Sequence, residues 1–251
     1  MSDPAPHTKT WVILGASSSV GRAFARQAAA KGADVILAGR DSEDLARTAQ
    51  DITARFEVTA ISFPFDADDY KTHEALINAL EKRPAPLGIF LLFGIMPEQS
   101  EIDANFDLAV QMINVNYLGA VSILSRLATR LETDSSGRIV VMTSVAGDRG
   151  RLKNYIYGSA KAGLNAYLQG LRARLCRAGV SVTTVKAGFI DTDMTFGAPG
   201  LFFVATPDAC AKACLTLAEK GRDVAYFPWF WRYIMLIIRH IPENIFKRMS
   251  I

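Results

Sequence analysis

Trp11-Val12-Ile13-Leu14-Gly15-Ala16-Ser17-Ser18-Ser19-Val20-Gly21 is the stretch on which the fold reading turns. Residues 11–14 form a short apolar run of strand length, and residues 20–31 have helical character, so a Gly/Ser turn joins a strand to a helix. Small residues let the backbone approach a pyrophosphate, and the helix N-terminus offers free N–H groups and the positive end of its dipole. Gly15, Ser17, Ser18, Ser19, Val20 and Gly21 are therefore the candidate phosphate cradle. Turns of this composition are common between strands and helices, so its position after the first strand is what gives it weight.

Working outward from that unit, strand-like and helix-like segments alternate along the chain. Strands are predicted at 35–38, 59–63, 88–93, 138–143, 181–186 and 224–227, and helices at 41–55, 70–81, 106–130, 154–178 and 207–221. That alternation predicts an α/β fold: one doubly wound Rossmann-type domain over 1–251, a central parallel sheet with helices on both faces. Residues 1–9 are polar and read as a disordered leader without the apolar run of a signal peptide. Residues 228–251 read as an apolar helical tail. Half of the 251 residues are hydrophobic and the net charge is only +3, with basic residues scattered, so no nucleic-acid groove is expected. Cys176, Cys210 and Cys214 form no CxxC pair and read as packed free thiols. With only His7, His73 and His240, and no ligand spacing among them, no metal site is expected.

The tip of the second strand bears on cofactor type. An acidic side chain there would hold the ribose hydroxyls of NAD, but this chain has Gly39-Arg40. A guanidinium is a forked donor suited to a 2′-phosphate, so NADP is favoured. The competing reading is an ordinary solvated strand end, with Arg40 paired to Asp41.

Tyr157-Gly158-Ser159-Ala160-Lys161 sets a phenol and an ammonium one helical turn apart on the same face. A tyrosine titrates near ~10 in isolation. A lysine cation and a positive nicotinamide ring would both lower that value and make proton exchange easier. Upstream, the strand at 139–143 ends at Ser144-Val145-Ala146-Gly147, and residues past the carboxyl end of such a strand line the ligand crevice. Ser144 is placed to polarise a substrate carbonyl while Tyr157 protonates it.

With these pieces assembled, the chain resembles the short-chain dehydrogenase/reductase family over nearly all of its globular part, from about residue 10 to 227. The matching pieces are the loop from Gly15 to Gly21, Asp66-Ala67, Asn116 within Asn114-Val115-Asn116-Tyr117-Leu118-Gly119, Ser144, Tyr157-x-x-x-Lys161, and Gly188-Phe189-Ile190-Asp191-Thr192. The resemblance implies Tyr157 as general acid, Ser144 as carbonyl polariser, and Lys161 on the nicotinamide ribose. It implies that Asn116 supports a water in the proton relay and that Asp66, beside Ala67, bonds the adenine. Phe93 and Gly94 would border the cofactor, and Gly188, Ile190 and Thr192 its nicotinamide end. Alignment on Gly119 selects Asn116 over Asn114.

The chain departs from the family pattern in three places. Ser19 replaces the middle glycine of the cofactor loop and Leu14 its leading threonine. Leu91-Leu92-Phe93-Gly94 replaces Asn-Asn-Ala-Gly, with loss of side-chain bonds that steady the sheet. Ala187-Gly188 replaces Pro-Gly. None touches the proton-transfer residues.

The expected activity is reduction of a ketone to a secondary alcohol with NADPH, on a hydrophobic or lipid-linked substrate. Residues 195–205, rich in Gly and Phe, would roof it. The tail, with Trp-Arg-Tyr and Ile-Pro-Glu, and the segment Phe93-Gly94-Ile95-Met96-Pro97-Glu98-Gln99 are similar to the family's reductases of keto-sugars carried on polyprenyl phosphate. A 3-oxoacyl reductase acting on a soluble carrier is the alternative enzyme. A non-catalytic NADP-sensing partner protein is the alternative of another class, and the intact Ser144, Asn116, Tyr157 and Lys161 set speaks against it. The tail itself has two readings. It packs on the body or a second subunit, or it lies in a membrane interface with Arg232, Arg239, Lys247 and Arg248 near anionic lipid. On a single helix, Arg232, Leu236, Arg239, His240 and Glu243 would share one stripe. The apolar run 233–238 is too short to span a bilayer. A cytoplasmic homo-dimer or homo-tetramer, or one peripheral on the cytoplasmic membrane face, is the expected setting.

Overall fold

Seven apolar runs, each too short to be a helix, pair side by side into one parallel sheet in a computed structural model that describes residues 8–192 and 203–249. They are β1 (Thr10–Leu14), β2 (Asp34–Gly39), β3 (Ala60–Pro64), β4 (Leu87–Leu91), β5 (Arg138–Ser144), β6 (Ser181–Ala187) and β7 (Val224–Phe227). Their order across the sheet is β3-β2-β1-β4-β5-β6-β7. Every residue of β1 and β4 is buried, as expected of strands covered on both faces.

The helices are α1 (Ser19–Ala29), α2 (Ser42–Phe56), α3 (Tyr70–Leu80), α4 (Gln99–Ala104), α5 (Phe106–Ile113), α6 (Ala120–Asp134), α7 (Tyr155–Leu175), α8 (Pro207–Glu219), α9 (Trp231–His240) and α10 (Glu243–Phe246). On one face of the sheet, Phe24 of α1, Leu45 and Ile52 of α2 and Leu215 of α8 pack against Trp11, Ile13 and Phe90. On the other, Leu76 of α3, Leu124 and Leu131 of α6 and Leu164 and Leu168 of α7 pack against Val12, Leu14 and Ile89. The chain winds outward from β1 in one direction and from β4 in the other. The crevice at the carboxyl ends of β1 and β4 is therefore the topological switch point at which such sheets bind ligands.

Three expectations change on contact with the structure, and one helix is added. The single helix expected over 106–130 runs to Asp134 and is interrupted at Asn114–Gly119 by a π-helical turn. Helix α4 carries too short a periodic signal to be read beforehand. Inside the expected leader, the Lys9 N–H bonds the Pro86 carbonyl and its own carbonyl accepts from Asp34 N, so the ordered chain includes it. Pro242 breaks the tail, which places Glu243 on α10 rather than on the stripe of α9. Residues 195–202 of the expected substrate roof lie outside the described residues.

The run Phe106–Asp134 has the length and apolar composition to cross a membrane. Here its apolar side, including Ile123, Leu127 and Leu131, is buried in the core.

Candidate active site

The loop after β1 is knitted by its own serines. Ser18 caps α1, accepting from Gly21 N at 3.1 Å, and donates to the Gly15 carbonyl at 3.0 Å. Gly15 has φ +101°, and a Cβ there would lie 2.9 Å from the Phe93 nitrogen, so only glycine fits this turn. Arg22 donates to the Ser17 carbonyl and to Asp44 and Thr48 of α2, tying the loop to the neighbouring helix. The same pairing holds the Asp44 carboxyl below its ordinary range.

Arg40 is exposed just past the end of β2 and lines the crevice. The Asp41 carboxylate caps α2 by accepting from Asp44 N at 3.0 Å. The Asp41 carboxylate thus serves as a helix cap, in place of the pairing with Arg40 that the sequence left open.

After β3, Asp66 is fixed from several sides. Its N–H donates to Thr72 Oγ1, its carbonyl accepts from Thr72 Oγ1 and from His73 Nε2, and its carboxylate accepts from Asp68 N. Because a carbonyl only accepts, His73 carries its proton on Nε2, and Nδ1 accepts from Ser122 Oγ at 3.1 Å. Burial pushes the His73 imidazole down and favours this neutral form. A Cβ at Gly119 would lie 2.3 Å from the Ala67 carbonyl, so a glycine lets the π-helical turn sit against this loop.

Asn116, also in the π-helical turn, is buried, and both ends of its amide are engaged by one residue. Nδ2 donates to the Ile95 carbonyl at 2.7 Å, and Oδ1 accepts from Ile95 N at 3.1 Å. Its side chain is thus a brace for the strand-to-helix connection after β4. Leu91 and Leu92 stand where the family has its asparagines, and Phe93 where it has alanine. Leu92 N bonds the Leu14 carbonyl at 3.0 Å, and the Phe93 ring packs 5.7 Å from that of Phe65. Backbone pairing and apolar packing occupy the place of the lost amides.

Ser144 ends β5, and Tyr157 and Lys161 lie in the first two turns of α7. The Ala146 N–H donates to Ser144 Oγ at 3.1 Å, and a hydrogen bond from Ser144 to Tyr157 draws the phenol down. Burial outweighs it and pushes Tyr157 up to about 12. Burial likewise pushes Lys161 down to about 8. The lowered phenol expected from the Tyr157–Lys161 spacing is therefore not produced by the protein's own groups. The Lys161 Nζ is 5.5 Å from the centre of the Tyr157 ring. A Cβ at Gly94 would meet both Asn116 Oδ1, at 2.4 Å, and Lys161 Nζ, at 3.3 Å.

These pieces converge on one cavity of about 650 Å³. Of the residues singled out in the sequence, Gly15, Ser17, Ser18, Ser19, Val20, Arg40, Asp66, Ala67, Phe93, Gly94, Ser144, Tyr157, Lys161, Gly188, Ile190 and Thr192 line it. Gly21 and Asn116 stand behind its wall. Sequence reading missed Ile95, Gln111, Val115, Phe65 and Asp68, which also line it. Gln111 and Val115 are one turn apart, a spacing that points to a shared face only after the crevice is known. Behind the cavity Tyr157 is buried in an apolar cluster with Ile102, Ala109, Met112 and Ala146. Ile95, Met96, Leu108 and Ile156 pack against it, and of these Ile95 also lines the cavity.

Trp231, at the start of α9, was also missed. A Cβ at Gly188 would lie 1.9 Å from its indole nitrogen, so this glycine admits the tryptophan against the far wall of the cavity. Among the described residues no cluster of His, Cys, Asp and Glu could hold a metal ion.

Known proteins with similar sequences or folds give three informative comparisons and one family match. The sequence profile described as short chain dehydrogenase matches residues 9–198. An uncharacterized oxidoreductase of Mycobacterium tuberculosis is 35% identical over 239 residues, 95% of this chain and 96% of that protein. The ketoacyl reductase HetN of a Nostoc species is 31% identical over 86% of this chain and 77% of its own length. A short-chain dehydrogenase from Sphingobium yanoikuyae, solved in complex with NADPH, superposes with a TM-score of 0.81 at 22% identity, covering 93% of this chain and 96% of its own. At that identity it bears on the fold alone.

Proposed function

The chain belongs to the short-chain dehydrogenase family, and we propose that it reduces a ketone to a secondary alcohol, with NADPH as hydride donor and Tyr157 as proton donor. The observation that carries this reading is the convergence of Ser144, Tyr157 and Lys161 on one wall of the switch-point cavity, with Arg40 at its other end.

The chain's residues fit the cofactor. The Gly15 turn leaves room for a pyrophosphate where any side chain would strike Phe93. Arg40 offers a forked cation to a 2′-phosphate, and the strand tip itself, Gly39, carries no carboxylate. Asp66 and Asp68 border the adenine end, and Lys161 the nicotinamide ribose. When bound, NADPH supplies the hydride.

The protein's part is proton delivery and orientation. At about 12, the Tyr157 phenol keeps its proton in neutral solution and is ready to act as an acid. Ser144 holds the carbonyl oxygen in reach of that hydroxyl. As the proton moves from Tyr157 Oη to the substrate oxygen, the phenolate left behind is met by the Ser144 hydrogen bond and by the Lys161 cation. Solvent then returns a proton to Tyr157. The water-supporting role implied for Asn116 would fall to its backbone carbonyl, because its side chain braces Ile95.

The apolar side chains that line the cavity, among them Ile95, Val115 and Met142, support a hydrophobic substrate, of which a ketone on a lipid carrier, such as a keto-sugar on polyprenyl phosphate, is one form. The Nostoc relative favours a second reading, a 3-oxoacyl thioester. Turnover of NADPH with hydrophobic ketones and with 3-oxoacyl thioesters separates the two. In either case Tyr157→Phe should lower turnover at least about a hundredfold, since general acid catalysis contributes that much or more. Cofactor affinity should stay near wild type. A variant retaining a tenth of the rate would show that another group supplies the proton.

A further inference from the structure

The tail has two faces with different chemistry. Inward, α9 buries Trp231 and Met235 against Val145, the residue after Ser144. Outward, Tyr233, Leu236 and Ile237 are each more than half exposed, and Trp229 beside them is 72% exposed. Exposed Arg232 flanks this strip, and exposed Lys247 and Arg248 follow on the turn after α10.

Charge is concentrated here too. From Pro228 onward the chain carries Arg232, Arg239, Lys247 and Arg248 against Glu243 alone. That accounts for the whole formal charge of +3, so the remainder of the chain is neutral. A run of packed rings also links this surface to the segment that borders the cavity. Phe189, between the lining residues Gly188 and Ile190, meets Trp231 at 5.3 Å. Beyond it come Phe230 and then exposed Phe203 and Trp229, with ring centres 5.5 to 6.3 Å apart at each step.

We propose that the outer face of α9, with Trp229, docks the protein on an anionic bilayer surface. An exposed apolar strip with tryptophan and tyrosine at its margin and cations alongside is the pattern of a helix lying in a membrane interface. A two-fold contact with a second copy through this face would instead set one +3 tail against another, a like-charge juxtaposition that opposes pairing. Docking would set the exposed rings of Trp229 and Phe203, both packed on Phe230, against the lipid.

The test uses the full chain, because Trp231 fills space against Gly188 and removing the tail would disturb the cavity itself. Of the three tryptophans, Trp11 and Trp231 are 2% exposed, so a change in emission on binding reports Trp229. Vesicles of phosphatidylcholine mixed with phosphatidylglycerol should float the protein and shift its emission to the blue, whereas phosphatidylcholine alone should do neither. Neutralising Arg232, Lys247 and Arg248 with glutamine should weaken binding about fivefold for each charge removed. Leu236→Ser with Ile237→Ser should abolish flotation while leaving NADPH binding and molecular mass unchanged. Trp229→Phe should still float but lose the shift. Failure to float with anionic vesicles overturns the proposal, as does equal binding to neutral ones. A Leu236→Ser, Ile237→Ser protein of lower mass by light scattering would make this face a subunit contact. None of these readouts needs turnover, so the docking can fail while the reductase reading stands.

Discussion

Lys161 shows how a single residue is held against its own preference. Burial disfavours its charge and moves it down to about 8, from an ordinary value of 10.5. That shift corresponds to a destabilisation on the order of 3 kcal/mol wherever the folded lysine is charged. The folded value lies below the unfolded one, so the penalty is complete below pH 8. It declines as pH rises, because the folded lysine then loses its proton first, and it is gone above about 10.5, where both states are neutral. Lys161→Met should therefore raise the melting temperature of the cofactor-free protein at pH 7 while destroying turnover. The gain over wild type should shrink steadily between pH 8 and 10.5. Thermal melts across that range test it, and a gain independent of pH would place the strain elsewhere. The motif Tyr157-x-x-x-Lys161 is legible in the sequence because it is local. The direction of the Tyr157 shift was not, because the apolar cluster that buries it draws Ile95, Met96 and Ile102 from a segment far upstream in the chain.

At the scale of the element, the strands and long helices were legible for a simple reason. Each strand of the centre, such as 11–14, is apolar on both faces and bounded by turn residues, and each long helix has one apolar stripe. The π-helical turn at Asn114–Gly119 was not legible, since its cause is the close seat of Gly119 on the Ala67 carbonyl and the bracing of Ile95 by Asn116. The attachment of the tail was hidden in the same way. Arg149, in the loop after Ser144, donates to the carbonyls of Ile238 and Ile241 and to the Glu243 carboxylate, and its guanidinium lies 3.9 Å from the centre of the Phe246 ring. One arginine thus closes the C-terminal end of α9 and holds α10. Hydrogen bonds from a charged donor are worth about 1.5–3 kcal/mol. Arg149→Ala should accordingly release the tail before the sheet unfolds. Limited trypsin digestion should cut after Arg239, Lys247 and Arg248 faster in the variant than in wild type. Similar cleavage rates in both would mean that Trp231 and Met235 alone secure the helix.

Across the whole molecule, the phosphate loop, the Asp66 loop, the β5 end and the Gly188 segment are joined only where strands converge at the switch point. A ligand that spans them should therefore stabilise the fold as a unit. Binding to the native state alone adds about 2.7 kcal/mol when the ligand is at a hundred times its dissociation constant. For a chain of this size each kcal/mol moves the melting temperature by roughly 2–4 °C, so NADPH at that excess should raise it by roughly 5–10 °C. NADH at the same concentration lacks the 2′-phosphate that Arg40 would hold and should give a clearly smaller rise. Arg40→Ala should bring the NADPH shift down toward that of NADH and leave the NADH shift nearly unchanged, because only the phosphate contact is lost. Differential scanning fluorimetry on both proteins with both nucleotides makes the comparison directly. An equal loss for NADPH and NADH in the variant would mean that Arg40 supports the strand tip rather than a phosphate, and the preference would then have to be sought in Arg22 and the serine loop it holds.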